Sequence, residues 1–464
     1  MKDRPVIPEP YKIKMVEPIK LLAREEREKR IKEAYYNMHY LKWEDVFIDL
    51  ETDSGTSAMS DRQWSALMMG DESYAGARSF YRLKEAVEEV LGFKYVVPTH
   101  QGRPAENVLF PTLIKEGDVI PFNMAFDTEM VSIPRCGGKV VDCVADIAYD
   151  PKVDHPFKGD IDIDKLEALI NEVGPEKIPF IMLTISNNPG GGQPVSMANI
   201  KAVRKVADKY NLRLLFDAAR SAENAYFIQQ REKGYQDKTV AEIYKEQFSY
   251  ADGCVFSCKK DPLVNIGGFI GLNDEELYWK TLPLLVQTEG FITYGGMSGR
   301  DLEAVAQGLR EMVDDDYIAS RVRQTQYLGK LLDDIGIEIM KPVGGSAVYI
   351  DAAAFLPHIP RSQFPANALS AALYIESGVR SLGFGALVFT GRDEKTGEPI
   401  YPELELCRLA IPRRVYTNLH MDYVAEGLRR VYESRDKVRG HRIIYLPPGI
   451  PENMRHFLGR FELV

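Results

Sequence analysis

The sequence predicts an α/β fold with a mainly parallel sheet covered by helices on both faces, followed by a smaller α+β domain. Three observations carry this. Short aliphatic runs alternate with helix-period segments over residues 95–256, each run is bounded as a buried strand should be, and the alternation stops near Asp314.

In chain order, helical periodicity is clear at Leu22 to Met38, Asp61 to Met69 and Ser79 to Leu91. In the third, Phe80, Leu83, Val87 and Val90 share a face and Gly92 supplies the stop. Ser60 with Gln63 three residues on is a capping box opening the second. The runs Tyr95 to Pro98, Val119 to Phe122, Lys139 to Val144, Phe180 to Ile185, Leu212 to Phe216 and Gly253 to Phe256 predict buried strands. Between them lie helices such as Ile163 to Val173, ended by Gly174-Pro175, and Met197 to Tyr210, capped by Ser196. Beyond Asp314 come an amphipathic helix, Asp316 to Ile335, a β-rich segment, Glu338 to Asp351, another helix and a final strand, Leu404 to Ile411. The expected organisation is an N-terminal arm over 1–20, a small-domain part over 21–58, a large domain over 59–314 and a small C-terminal domain over 315–464.

With 464 residues, 45% hydrophobic and 27% charged, the chain is long enough for two or three packed cores. A net charge of −10, with basic residues interleaved among acids, argues against a nucleic-acid partner. The N-terminus lacks the apolar core of a signal peptide, and no apolar run approaches the ~20 residues that cross a bilayer. A soluble, cytoplasmic protein with no membrane partner is expected. Five cysteines without a CxxC pair predict reduced thiols, not a disulfide framework or zinc site.

The chemistry starts from Asp217, ending the run Leu212 to Phe216, and Lys260, just after Gly253 to Phe256. A pyridoxal-phosphate enzyme needs a lysine for the cofactor's aldehyde and an acid that keeps its ring nitrogen protonated. Singly, a strand-end Asp is as readily a helix cap and a Lys a solvated charge. Their company adds weight. His100-Gln101-Gly102-Arg103-Pro104 follows a strand and opens a helix, where backbone N–H groups, Gln101 and Arg103 suit a phosphate. Asn188 leads a glycine-rich loop after another strand, Ser257 and Lys259 flank Lys260, and Arg408 offers a fork-shaped guanidinium to an α-carboxylate. Each also has a bland reading, as a loop, a turn or an ion pair.

The stretches Thr52-Asp53-Ser54-Gly55-Thr56, Met69-Gly70-Asp71-Glu72-Ser73-Tyr74-Ala75-Gly76, Pro98-Thr99-His100-Gln101-Gly102-Arg103, Glu223-Asn224-Ala225-Tyr226-Phe227-Ile228 and Asn265-Ile266-Gly267-Gly268-Phe269 resemble the tryptophanase and tyrosine phenol-lyase family over nearly the whole chain. The resemblance implies a fold-type-I, aminotransferase-like subunit in a homotetramer. It makes Lys260 the Schiff-base lysine, Asp217 the pyridine partner, Asn188 and Arg220 neighbours of the phenolic oxygen, and Phe126 the ring-stacking aromatic. Gln101, Gly102, Arg103, Ser257 and Lys259 become the phosphate cradle, and Ser54 and Arg408 the substrate-carboxylate grip. Tyr74 becomes a proton donor acting across a subunit interface, and Glu72, Asn265 and the Gly55 carbonyl an intersubunit potassium site.

Asp127, His456 and Phe384 resemble the tryptophanase branch, which implies conversion of L-tryptophan to indole, pyruvate and ammonium. Tyrosine phenol-lyase activity, or β-elimination from an S-substituted cysteine, is the alternative. Asp127 could instead cap the helix after it, and His456 a surface turn. The chain departs from the family pattern at Pro104, Pro189, Cys258, Ser346, His39 and Glu129-Met130.

Overall fold

A computed structural model of the chain describes residues 8–393 and 395–464; residues 1–7 of the expected arm lie outside the described residues. The chain packs into two compact units. One is built chiefly from Ser54–Ala148 and Pro156–Arg321, the other from Tyr11–Asp53, Tyr149–His155 and Val322–Val464.

The first unit is organised by a seven-stranded sheet: β1 (Tyr95–Thr99), β2 (Val119–Phe122), β3 (Lys139–Asp142), β4 (Phe180–Thr184), β5 (Arg213–Asp217), β6 (Gly253–Ser257) and β7 (Gly268–Leu272), in the order β1-β7-β6-β5-β4-β2-β3. β3, β2, β4, β5 and β6 run parallel. β7 is antiparallel to both its neighbours, so β1 runs with the rest. The sequence reading finds six of these strands and misses β7, which has only five residues, two of them glycine. β4, β6 and β7 are buried at every position, which explains their unbroken apolar character. Phe110, Ile120, Phe122, Phe180, Met182 and Leu215 anchor the core between sheet and helices, each fully buried aliphatic or aromatic side chain contributing about 1.5–3 kcal/mol.

Local signals hold well here. Helix Asp61–Met69 starts at a complete Ser60–Gln63 capping box, Ser196 caps Met197–Tyr210, and Ile163–Val173 ends at Gly174 with φ 85°. In the second unit the first helix is shorter than its periodicity suggests, Arg24–Glu33, because Tyr35 and Tyr36 turn the backbone to φ 52° and 53°. The expected β-rich segment reduces to the strand Ala347–Asp351 plus one bridge, Ile339 to Ile350. That strand pairs with Leu406–Ala410, which also pairs with Leu382–Phe384, giving a three-stranded antiparallel sheet. Among the described residues no helix is long and apolar enough to cross a membrane, and all five cysteines are free thiols.

Candidate active site

Parallel strands present their carboxyl ends on one edge, and ligand loops follow from there. Register fixes the alignment: Thr184 lies opposite Asp217, Asp217 opposite Val255, and both Thr99 and Ser257 opposite Gly268. The segments after β1, β2, β4, β5 and β6 therefore leave the same edge, carrying respectively Gln101 to Arg103, Phe126, Asn188, Arg220 and Lys260.

Lys260 donates from Nζ to Ser257 Oγ at 2.8 Å. Its turn is closed by the Leu263 N–H on the Lys260 carbonyl at 3.0 Å, and Leu263 takes φ 64°. Met124, between β2 and Phe126, takes φ 80°. Left-handed backbone costs a side-chain-bearing residue about 1–3 kcal/mol, so surrounding packing holds both turns in place. Asp217 accepts the Ala219 N–H at 3.2 Å. Burial raises its carboxyl above the ordinary range, while Lys260, that backbone N–H and Arg220 pull it down. A carboxylate held in this balance suits a protonated ring nitrogen.

The phosphate cradle is equally specific. Helix Gly102–Leu113 starts with Gln101 as an extended N-cap that makes no side-chain cap bond, leaving its first N–H groups for a ligand. A Cβ on Gly102 would lie 2.8 Å from Ser257 Cβ, and one on Gly268 2.4 Å from the Gln101 carbonyl carbon. Only glycine lets these two turns approach. Lys259 Nζ lies 3.4 Å from Gln101 Oε1, and burial followed by the nearby Arg103 cation lowers its pKa. Two lysines, Arg103, Ser257 and free helix N–H groups fit an anionic, phosphate-bearing pyridine cofactor.

Two buried acids here have no role in the sequence reading, which names Glu129 only as a departure from the family pattern. Glu106 accepts from Thr128 Oγ1 at 2.9 Å and Ser132 Oγ at 3.1 Å, and burial pushes it up to about 8. Glu129 Oε2 takes the Phe126 N–H at 2.8 Å, fixing that aromatic's backbone. Its Oε1 has no partner among the described residues, and burial raises its pKa well above normal. Their only sequence signal is an acid three residues after Arg103 and three after Phe126. Asp127 is buried just before helix Glu129–Arg135.

The Ser54-Gly55 loop lies against Lys259: the Gly55 N–H donates to the Lys259 carbonyl at 2.7 Å. Asn265 Nδ2 donates to the Gly55 carbonyl at 3.0 Å, a bond a cation there would replace, and Glu72 pairs with Arg300 at 3.6 Å. Tyr74 is 69% exposed, stacked on Phe291 with centroids 5.6 Å apart and tilted against Tyr294 at 5.3 Å.

Three predicted residues belong to the second unit. Arg408 is buried on the strand Leu406–Ala410, donates Nη2 to the Glu51 carbonyl at 3.0 Å and keeps Nε without a partner among the described residues. A buried N–H of this kind suits a carboxylate. Phe384 is buried, with the Arg408 guanidinium 5.0 Å from its ring centre. His456 is buried in the short helix Arg455–Leu458, so it does not cap a surface turn.

Comparison with known proteins gives consistent matches. The family described as Beta-eliminating lyase matches residues 49–427. The chain is 58% identical to a tyrosine phenol-lyase of Symbiobacterium sp. (strain SC-1), covering 98% of each chain, and 53% identical to one of Pasteurella multocida, again covering 98% of each. It is 51% identical to a probable beta-eliminating lyase of Trichomonas vaginalis, with the same coverage of both. Among solved structures, a Sphingomonas wittichii serine palmitoyltransferase superposes with TM-score 0.55 at 14% identity, covering 84% of this chain and 88% of that one. At that identity the likeness speaks for the fold-type-I subunit alone.

Proposed function

The chain belongs to the beta-eliminating lyase family, and on that premise we propose that it is a pyridoxal-phosphate enzyme converting L-tyrosine and water to phenol, pyruvate and ammonium. The observation that carries this is the Lys260–Asp217–Arg220 set on the carboxyl edge of β5 and β6, in a chain 51–58% identical to tyrosine phenol-lyases over nearly its full length. Those relatives favour tyrosine over the tryptophan expected from Asp127, Phe384 and His456. Three pocket positions weigh less than likeness along the whole chain.

Bound at the edge described, the cofactor would supply an electron sink conjugated to the substrate's Cα. Gln101, the Gly102 N–H, Arg103, Ser257 and Lys259 would hold its phosphate, Phe126 would serve its ring, Asp217 would keep the ring nitrogen protonated, and Asn188 and Arg220 would serve its phenolic oxygen. Ser54 and Arg408 hold the α-carboxylate. The Lys260 amine takes the Cα proton as general base. Carbon–carbon cleavage needs a proton at the departing ring carbon, because an aryl carbanion is too poor a leaving group. Tyr74, exposed in this chain, would be the donor to a partner subunit's substrate, with Asp127, His456 and Phe384 as the residues that would serve the substrate's ring. A homotetramer would complete the site, and the Gly55 carbonyl, Glu72 and Asn265 would offer a potassium ion oxygen ligands suited to a hard cation.

The test is pyruvate release from L-tyrosine, L-tryptophan and S-methyl-L-cysteine, in potassium and again in sodium. Tyrosine should give phenol fastest, with higher rates in potassium. Lys260→Ala should lose at least ~100-fold in kcat. Elimination retained by Lys260→Ala would overturn the assignment of the base, and indole release outpacing phenol release would restore tryptophan.

A further inference from the structure

Glu129-Met130, a departure from the family pattern, holds Phe126 by both its N–H and its carbonyl. Glu129 Oε2 accepts the Phe126 N–H at 2.8 Å, and the Met130 N–H donates to the Phe126 carbonyl at 3.0 Å. The second bond is backbone to backbone and any non-proline residue at 130 could make it. The first needs an acceptor at the end of the side chain at 129, which Glu and Gln supply and an apolar residue does not.

Glu106 extends the contact to the other end of the site. It lies one turn into helix Gly102–Leu113, whose start forms the phosphate cradle, and it accepts from the hydroxyls of Thr128 and Ser132. Two acids thus brace the turn that carries Phe126 to the helix that would hold a phosphate.

Glu129 is only 1% exposed, and its Oε1 has no partner among the described residues. Burial raises its pKa well above the ordinary range, the Asp217, Glu106 and Asp127 carboxyls push the same way, and the Phe126 N–H pulls against them. An ionised Glu129 would add a further negative charge beside Asp217, with a single N–H to hold it. In the protonated form the proton sits on Oε1, and Oε2 stays free to accept. The side chain then works as a neutral acceptor, which an amide can imitate.

We propose that Glu129 is a positioning residue for the cofactor's ring: as an uncharged acceptor it sets the Phe126 backbone, and with it the aromatic face offered to the pyridine, while Glu106 ties that turn to the phosphate helix. This rests on the reading of Phe126 as the ring's aromatic neighbour and of Gly102 and Arg103 as part of the phosphate cradle. Loss of the Glu129 acceptor loosens the ring and leaves the phosphate contacts intact.

Full-length protein stripped of cofactor, titrated with pyridoxal 5'-phosphate and separately with inorganic phosphate, tests this. Glu129→Ala should weaken pyridoxal-phosphate binding at least ~5-fold and change the visible circular dichroism of the bound cofactor, while inorganic phosphate affinity stays within ~2-fold of wild type. Glu129→Gln should keep both affinities within ~2-fold and preserve the dichroism band. Glu129→Met, which keeps the length without the acceptor, replaces the Ala variant if that one fails to fold. A merely structural role would weaken both ligands together, and that outcome overturns the proposal. Unchanged cofactor affinity and dichroism in the Ala or Met variant also overturns it, as does a Gln variant that fails as they do, because a charged carboxylate would then be what the position needs. Wild-type protein that binds inorganic phosphate but no pyridoxal phosphate would refute the cofactor reading itself, and this proposal with it.

Discussion

At Glu106, burial outweighs two hydroxyl donors and holds the carboxyl at about 8. An acid whose folded pKa exceeds its unfolded value binds its proton more tightly in the native state. Its stabilising contribution is complete below the unfolded pKa and is lost as pH rises through about 8. Glu106→Gln removes that titration while keeping a partner for Thr128 and Ser132. Urea midpoints of wild type should therefore fall between about pH 5 and about pH 8.5 more steeply than those of the variant; parallel curves would sink the assignment. Lys260 and Asp217 are legible in the sequence because the chemistry demands an amine and a carboxylate at successive strand ends. Glu106 is not, because its pKa is raised by burial, which only the folded chain creates. Glu129 stands out only as a departure from the family pattern, since the burial that makes it a neutral acceptor is no more local.

At the scale of elements, strand alternation and caps are written locally, and six of the seven sheet strands follow from them. β7 was missed because a short glycine-rich strand carries little periodic signal, and its antiparallel insertion between β1 and β6 depends on packing. Gly268 of that strand, together with Gly102, allows the phosphate turn to seat. Gly102→Ala would place a Cβ 2.8 Å from Ser257 Cβ and 3.3 Å from Ser257 Cα. Cofactor affinity, followed by visible absorbance titration, should drop at least ~10-fold, which is about 1.4 kcal/mol. Apo-protein melting should change little, and undiminished affinity would mean that the two turns have room to part.

For the whole molecule, one unit takes its residues from both ends of the chain, as the reading of 21–58 as a small-domain part expects, and adds Tyr149–His155, which no local signal marks. Asp53 and Arg413 illustrate this: the two groups pair at 2.8 Å with neither side chain exposed, although they are far apart in sequence. Asp53→Asn would remove the carboxylate from this buried pair, at a cost of about 3–5 kcal/mol. Thermal melting should show that loss, and a change within ~0.5 kcal/mol would mean that water reaches the site.

Ile31, Leu41, Ile48 and Leu50 are buried, and their cores include Leu328, Leu369, Val424 and Phe461. A ribosome makes those partners nearly 300 residues or more after this segment. During synthesis the parallel sheet can close early, while the apolar side chains of the opening segment wait uncovered for the tail to emerge. Residues 31–50 thus stay apolar and uncovered until residues 328–461 have been made, an interval in which they are open to association.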